Sequence, residues 1–289
     1  TEEWKGAIDD FVNMGTPAVV FTGGEPLLRS DLPVLVSYAK KSGLLTDVST
    51  NGLLLEPNMI KQLLDSGLDG INISLDGTTA ATHDKIRGVP GVYDRAIAAI
   101  KDISSLRKRH NYEISLTVTC VISRLNLNEI IDLVAFVKGL GVDRISFIPI
   151  QDASLMIDKK TKAGQLLISD LEKAQGVISQ LIIMKKRTSN IDCSIRYLKL
   201  FMDSFSGKKR PIACYAAYTT CTLDSYGDIY PCLPSEIISK SVANIKEISL
   251  KEGWRSERFN EARRKIKGCR KCYWNCWTEL SIMFGHSIN

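Results

Sequence analysis

Over residues 1–150 the chain alternates short apolar runs with amphipathic helical patterns, and that rhythm leaves few folds open. Apolar or β-branched runs at Pro17 to Phe21, Leu45 to Thr50, Gly70 to Leu75, Ile114 to Ile122 and Asp143 to Ile148 read as strands. Between them, apolar residues recur at helical spacing: Trp4, Ile8, Phe11 and Val12; Leu32, Leu35, Val36 and Ala39; Ile60, Leu63 and Leu64; Val92, Ala96, Ile100 and Ile103. A further helix is expected from about Asn126 to Lys138. Gly15, Gly43 and Gly67 stand where the first three helices should stop, with Ser30 as an expected N-cap and Pro57 as a helix opener. Strand and helix in strict alternation favour parallel βαβ units with right-handed crossovers. Five such strands suit a barrel or partial barrel, or an open doubly wound sheet, and the pattern alone leaves both standing.

From about Lys162 the character changes, first to helices expected over 164–187 and 193–205, then to a cysteine-rich tail. A boundary is expected near residue 205, giving a core over 1–205 and a small domain over 206–289. The 289 residues, 44% hydrophobic and 24% charged, have the composition of an ordinary globular protein with a sizeable core. No apolar run approaches a membrane span, and no signal peptide opens the sequence. Eight cysteines without a secretory leader point to a reducing, cytoplasmic setting, where clustered thiols bind metal more often than they pair.

Two stretches carry chemistry. The first is Thr22-Gly23-Gly24-Glu25-Pro26-Leu27-Leu28. Paired glycines directly after a strand let a ligand approach the main chain without meeting a Cβ, and a carboxylate follows at once. At the C-terminal end of a parallel strand, that carboxylate can meet a cationic or hydroxylated small molecule, although a tight turn would read the same way.

The second is the tail. Cys214, Cys221 and Cys232 precede Cys269-Arg270-Lys271-Cys272-Tyr273-Trp274-Asn275-Cys276, so six cysteines fall within 63 residues. Two-residue spacing lets two thiolates hold one inorganic centre from a single turn. A strand, turn, strand reading of Thr222 to Pro231 would bring Cys214 and Cys232 together. Zinc and an iron-sulfur cluster can each take four thiolates, and the sequence does not choose between them. Cys120 and Cys193, isolated in apolar runs, read as buried structural thiols.

With both stretches in view, the sequence resembles the radical S-adenosylmethionine (radical SAM) enzymes that carry a C-terminal SPASM or Twitch extension. The matching pieces are Thr22 to Leu28, Thr50-Asn51-Gly52, Ser74-Leu75-Asp76-Gly77, a polar loop His83-Asp84-Lys85-Ile86-Arg87-Gly88, and a tail in which twelve residues separate Cys214 from Gly227 and four separate Gly227 from Cys232. The resemblance implies an α/β fold, a partial (β/α)6 TIM-like barrel lacking its first strand, with a small cysteine-rich C-terminal domain. It implies that Gly23, Gly24 and Glu25 bind the amino group and methionine part of S-adenosylmethionine. Ser74 and Arg87 would hold its carboxylate, and Asp76 and Asn51 would lie near ribose and adenine. A zwitterionic ligand calls for one anion and one cation in this way.

Two departures stand out. The family's Cys-x-x-x-Cys-x-x-Cys, which normally follows the first barrel strand, is absent from these 289 residues. The chain is therefore expected to be a fragment entered in mid-helix at Thr1 that does not cleave S-adenosylmethionine by itself, its SAM cluster belonging to the full-length protein. The late cysteines are also spaced more tightly than in a full SPASM tail. One auxiliary [4Fe-4S] cluster is expected, held by Cys214, Cys232, Cys269 and Cys272, with Cys276 and then Cys221 as further candidates.

The resemblance implies an enzyme that forms a 5′-deoxyadenosyl radical and abstracts hydrogen from a peptide or small-molecule substrate. The alternative is a non-catalytic zinc or iron-sulfur scaffold that keeps the barrel alone. Between Lys246 and Lys271, ten Lys and Arg face four Glu, a net +6. That segment reads either as a solvated helical face or as a dock for an acidic electron donor of the flavodoxin or ferredoxin kind. No aromatic-basic module suggests nucleic-acid binding.

Overall fold

A computed structural model describes residues 1–151, 165–232 and 241–285. Five strands form one sheet in the order β1-β2-β3-β4-β5: β1 (Ala18–Phe21), β2 (Leu45–Thr50), β3 (Gly70–Ser74), β4 (Ser115–Ile122) and β5 (Arg144–Pro149). The pairs β1·β2, β2·β3 and β3·β4 are parallel, with Phe21 opposite Val48, Thr50 opposite Ile73 and Ser74 opposite Thr119. Consecutive order, with no reversal at a switch point, is that of a partial barrel and decides against the doubly wound sheet.

The chain divides into two compact units. The first holds residues 1–120, 128–146 and 189–192. Its helices are α1 (Glu2–Asn13), α2 (Leu32–Lys41), α3 (Pro57–Asp65), α4 (Ala80–Arg87), α5 (Val92–His110) and α6 (Ile130–Gly139). Residues along each strand alternate between two faces. On one face Val48, Ile71, Ile73, Leu116, Val118 and Cys120 are fully buried, with α2 packed on β2 and α5 on β3. Burying each such side chain is worth roughly 1.5–3 kcal/mol, so this layer fixes the register. The other face is polar: Asn72 Nδ2 donates to Ser49 Oγ at 3.1 Å, and Thr119 Oγ1 donates to Asn72 Oδ1 at 2.9 Å. α1 closes the near edge by burying Ile8 against Leu35, Ala39 and Leu44, with Trp4, Phe11 and Val19 around them.

Several boundaries differ from the sequence reading. Asp31 stands at the N-cap position of α2 in place of Ser30, with no side-chain capping bond, and α6 starts at Ile130, four residues later than expected. The stretch expected as a polar loop, His83 to Arg87, is helical. Thr79 caps α4 through its hydroxyl, accepting from Thr82 N, and Gly88 ends it in the left-handed region at φ 71°. His83, far from solvated, is fully buried.

The second unit holds residues 121–127, 147–188 and 193–289, of which 152–164, 233–240 and 286–289 lie outside the described residues. The start expected at Gly164 falls in the first gap; helix α7 (Leu171–Arg187) begins beyond it, with Asp170 Oδ1 accepting from Lys173 N. The helix expected over 193–205 is two short ones, α8 (Ile195–Lys199) and α9 (Phe201–Phe205), packed under α7. Then follow α10 (Ala216–Thr219), the antiparallel hairpin of β6 (Thr222–Leu223) and β7 (Asp228–Tyr230), β8 (Ala243–Asn244), α11 (Leu250–Arg255), α12 (Glu257–Lys267) and α13 (Asn275–Phe284). Thr222 pairs with Tyr230, the hairpin the sequence suggested. Its turn is set by Asp224, whose Oδ1 accepts from Tyr226 N and Asp228 N, and by Gly227 at φ 91°.

Candidate functional site

In the first unit, the C-terminal ends of β1, β2 and β3 stand side by side on the sheet, and the predicted ligand residues lie in the loops that leave them. Gly23 adopts φ 130°, a conformation open to glycine, and both Gly23 and Gly24 are exposed with no atom within 4 Å of where a Cβ would stand. The backbone here presents bare peptide groups to whatever lies above it. Glu25 follows as the cap of a single 3-10 turn, Pro26–Leu28.

The Glu25 carboxylate is half-buried and held across to β2. Thr50 Oγ1 donates to its Oε1 at 2.6 Å, Asn51 N to its Oε2 at 2.9 Å, and Leu27 N to Oε1 at 3.2 Å. Thr50 was missed by the sequence reading, which used it only as a motif neighbour. The Asn51 side chain is spent locally, Oδ1 accepting from Leu53 N at 2.8 Å to fold the turn after β2. Gly52 has φ 83°, and a Cβ there would stand 3.3 Å from Ala96 on α5 and from Ile73 on β3, so a side chain would be strained and tightly packed.

Ser74 is half-buried at the end of β3, on the polar face with Asn72. Asp76 is fully buried, and Arg87 Nε stands 2.6 Å from its Oδ2. The approach is an ion pair whose N–H is not aligned as a hydrogen bond. The guanidinium itself stays partly open, with 28% of its side chain exposed. His83 Nδ1 accepts from Asp76 N at 2.9 Å, which requires the neutral ring with its proton on Nε2. Burial pushes the His83 pKa down; the carboxylates of Asp76 and Asp84 oppose that shift and Arg87 adds to it.

A second support was not visible in the sequence. Glu129 Oε2 accepts from Thr78 N at 2.7 Å and from Thr78 Oγ1 at 2.8 Å, its Oε1 accepts from Thr82 Oγ1, and Tyr93 Oη donates to Thr78 O at 2.6 Å. Together they fix the turn after β3 and hence the helix that carries Arg87. A carboxylate 51 residues away has no local signal that would reveal it.

In the second unit all six tail cysteines are free thiols. Four of the others neighbour Cys232: burial raises its pKa, and Cys272, Cys214, Cys269 and Cys276 raise it further. Cys272 is raised likewise, first by burial. Cys276 is exposed at the start of α13, with Cys272 and Cys214 as its charge neighbours. Cys221 stands apart. Burial pushes its thiol up to about 12, and its charged neighbour is Arg263. Among the described residues no three His, Cys, Asp or Glu side chains are placed to hold one metal ion. A four-iron cluster makes a different demand, because each thiolate meets its own iron and the sulfurs stand further apart than on a single ion. Soft, unpaired thiols from three segments fit such a group.

Residues 1–137 match the model of the radical SAM superfamily, and residues 214–277 match SPASM, an iron-sulfur cluster-binding domain. The chain is a radical SAM superfamily member with a SPASM domain. Among its relatives are an AdoMet-dependent heme synthase of Nitratidesulfovibrio vulgaris, 27% identical over 94% of this chain and 75% of that protein, and a PqqA peptide cyclase of Rhizobium meliloti, 29% identical over 94% and 70%. Streptococcus suis SuiB, solved bound to S-adenosylmethionine, shares the fold with a TM-score of 0.69 at 20% identity, covering 91% of this chain. The chain spans 60% of the SuiB chain's length. Within the radical SAM domain lie Gly23 to Glu25, Asn51, Ser74, Asp76 and Arg87; within SPASM lie all six tail cysteines.

Proposed function

We propose that this chain binds S-adenosylmethionine at the ends of β1 to β3 and one [4Fe-4S] cluster at its C-terminal thiols, as part of a radical SAM enzyme acting on a peptide. The observation that carries the reading is the pairing, on one sheet edge, of an anion beside bare backbone with a partly open cation. Glu25 is pre-oriented by Thr50 and Asn51, and Arg87 is tethered from behind by Asp76. Gly23, Gly24 and Glu25 would receive the ammonium end of the ligand; Ser74 and Arg87 would receive the carboxylate. Asn51 serves through its backbone N–H on Glu25, and Asp76, being fully buried, serves through Arg87. When bound, S-adenosylmethionine supplies the 5′-deoxyadenosyl radical that abstracts hydrogen. The chain's part is to orient the ligand and exclude water from it. Since the 289 residues contain no Cys-x-x-x-Cys-x-x-Cys, we expect cleavage only where those cysteines are supplied.

Residues 1–205 would form the core and 206–289 the auxiliary domain, with Cys214, Cys232, Cys269 and Cys272 as the expected ligands, then Cys276. A peptide substrate is supported by the PqqA peptide cyclases and by SuiB, which was solved bound to the precursor peptide SuiA. The basic face of α11 and α12 would dock an acidic electron donor in the cytoplasm. Among the described residues, no helix is long and apolar enough to cross a membrane.

Calorimetric titration with S-adenosylmethionine tests the site. Saturable binding weakened at least tenfold in both Glu25→Ala and Arg87→Ala is expected; equal affinity in wild type and both variants refutes it. Iron and sulfide content tests the tail, and zinc without sulfide would refute the cluster. Mass spectra of candidate peptides and of porphyrins, the latter prompted by the heme synthase relatives, test the substrate class.

A further inference from the structure

The second unit buries a cation that none of the roles above uses. Arg210 is 1% exposed, the largest of the fully buried side chains. Its groups reach two of the cysteine-bearing stretches, the one with Cys214 and the one from Cys269 to Cys276. Nε donates at 3.1 Å to the carbonyl of Ile212, two residues before Cys214. Nη1 donates at 2.9 Å to Oγ1 of Thr278, two residues after Cys276. The Arg210 backbone N–H donates at 2.8 Å to the carbonyl of Arg270, between Cys269 and Cys272, and Arg270 returns a bond from Nη1 to Pro211 O at 2.6 Å. The remaining nitrogen, Nη2, is buried with no hydrogen-bond partner, and no carboxylate among the described residues pairs with the guanidinium.

A guanidinium is always charged, and leaving one buried without an opposite charge is costly. The hydrogen bonds made by Nε and Nη1 go to neutral oxygens. They aim the group and leave its charge uncompensated. What the two clamped stretches have in common is thiols: Cys214 lies two residues beyond Ile212, and Cys269, Cys272 and Cys276 surround Arg270 and precede Thr278. A thiolate-ligated iron-sulfur centre is anionic, and its charge grows when it takes an electron.

We propose that Arg210 is the buried counter-charge of the iron-sulfur centre at the C-terminal thiols, with Nη2 turned toward its sulfur, so that it ties the Cys214 stretch to the one from Cys269 to Cys276 and makes the centre easier to reduce. The inference rests on the iron-sulfur reading of the tail. Net charge and hydrogen bonds to sulfur are among the settings of a cluster's potential, so removing a fixed positive charge should disfavour the reduced state.

The test is a redox titration of this chain, reconstituted anaerobically with ferrous iron and sulfide, comparing wild type with Arg210→Gln and Arg210→Lys by electron paramagnetic resonance. In Arg210→Gln the ratio of reduced to oxidised centre at a fixed potential should fall about tenfold, 59 mV for one electron, and Arg210→Lys should recover most of it. If Arg210→Gln alone fails to fold while Arg210→Lys loads iron at the wild-type potential, retained charge has rescued the site as proposed. A wild-type potential in Arg210→Gln, a shifted one in Arg210→Lys, or failure of both variants to fold would overturn the proposal and leave Arg210 a structural hydrogen-bonding fork. Wild-type chain that takes up zinc and no sulfide refutes the iron-sulfur reading instead, and shows it before any variant is made.

Discussion

Asp76 and Arg87 meet at 2.6 Å, one fully buried at the end of β3 and the other half-open on α4. The carboxylate is enclosed by protein, and in the proposed site it acts through the guanidinium beside it. Asp76→Asn keeps the shape and removes the charge. Arg87 then loses its tether while its exposed edge regains water, so the fold should lose about 1–2 kcal/mol, less than a fully buried pair would cost. Affinity for S-adenosylmethionine should fall about tenfold, the equivalent of 1.4 kcal/mol. Denaturant melts and calorimetry read the two effects separately; an affinity unchanged in Asp76→Asn would mean Arg87 needs no such support.

Glu25 offers a second separation of orientation from charge. Thr50→Val removes the 2.6 Å donor and leaves the carboxylate and the Asn51 N–H contact in place. One hydrogen bond to a charged acceptor is worth about 1.5–3 kcal/mol. Thr50→Val should therefore weaken S-adenosylmethionine binding severalfold, and Glu25→Ala should weaken it more. Equal losses in the two variants would place the whole effect in the turn's geometry.

The contrast between these residues shows what the sequence could carry. Glu25 and Arg87 sit in short motifs that local spacing exposes, and the strands are legible because short apolar runs bounded by turn residues show in a local window. The helix at Ala80–Arg87 was read as a loop because it has a single buried residue, His83, and so no apolar stripe; its signals were the cap at Thr79 and the stop at Gly88. Glu129 and Arg210 were out of reach for another reason. Apart from Ile212, which neighbours Arg210 in sequence, their side-chain partners lie 47 to 68 residues away, and only the folded chain brings them together.

His83 sets a pH limit. Its pKa is lowered by burial, so between that lowered value and the ordinary 6.5 the unfolded chain binds a proton that the folded chain refuses. The contribution of His83 to stability should therefore be complete above about pH 6.5 and decline as pH falls below it. Asp47 slopes the other way in the same range, so the effect is read as the difference between wild type and His83→Gln in melting temperatures between pH 5 and 8. A difference that does not change with pH would contradict the buried neutral ring.

Asp47, on the polar face of β2, behaves oppositely. Burial pushes its carboxyl up to about 7; Arg144 opposes the shift, and Asp192 and Asp69 add to it. A raised folded value means stability present below the unfolded pKa near 3.8 and lost as pH rises toward 7. Asp47→Asn should stabilise the chain at pH 8 by about 2–4 kcal/mol and change little at pH 4. The carboxyl also lies over Gly70, its Oδ2 2.2 Å from where a Cβ would stand, so in Gly70→Ala the Asp47 side chain has to swing aside. Equal melting temperatures for Asp47→Asn and wild type at pH 8 would show the carboxylate to be solvated.

Cys221 separates a thiol that belongs to the tail's sequence pattern from those that share one place. Four of the other cysteines act on Cys232, whereas Cys221 neighbours Arg263 beside α10. Arg263 is already engaged: its Nε donates to Ala217 O at 3.0 Å, its Nη1 donates to Asn260 Oδ1 at 2.6 Å, and its guanidinium lies over the rings of Trp254 and Phe259 at 4.4 and 4.3 Å. A thiol beside a cation committed in this way is expected to serve packing, in keeping with its last place among the ligand candidates. Cys221→Ala should keep the wild-type iron and sulfide content after reconstitution, with a stability loss of about 1 kcal/mol from the lost packing. Cys232→Ala and Cys272→Ala should each lose most of the bound iron, because each removes a buried thiolate from the shared set. Iron and sulfide assays on the three variants distinguish the cases, and a Cys221→Ala chain stripped of iron would move Cys221 into the ligand set and displace Cys276.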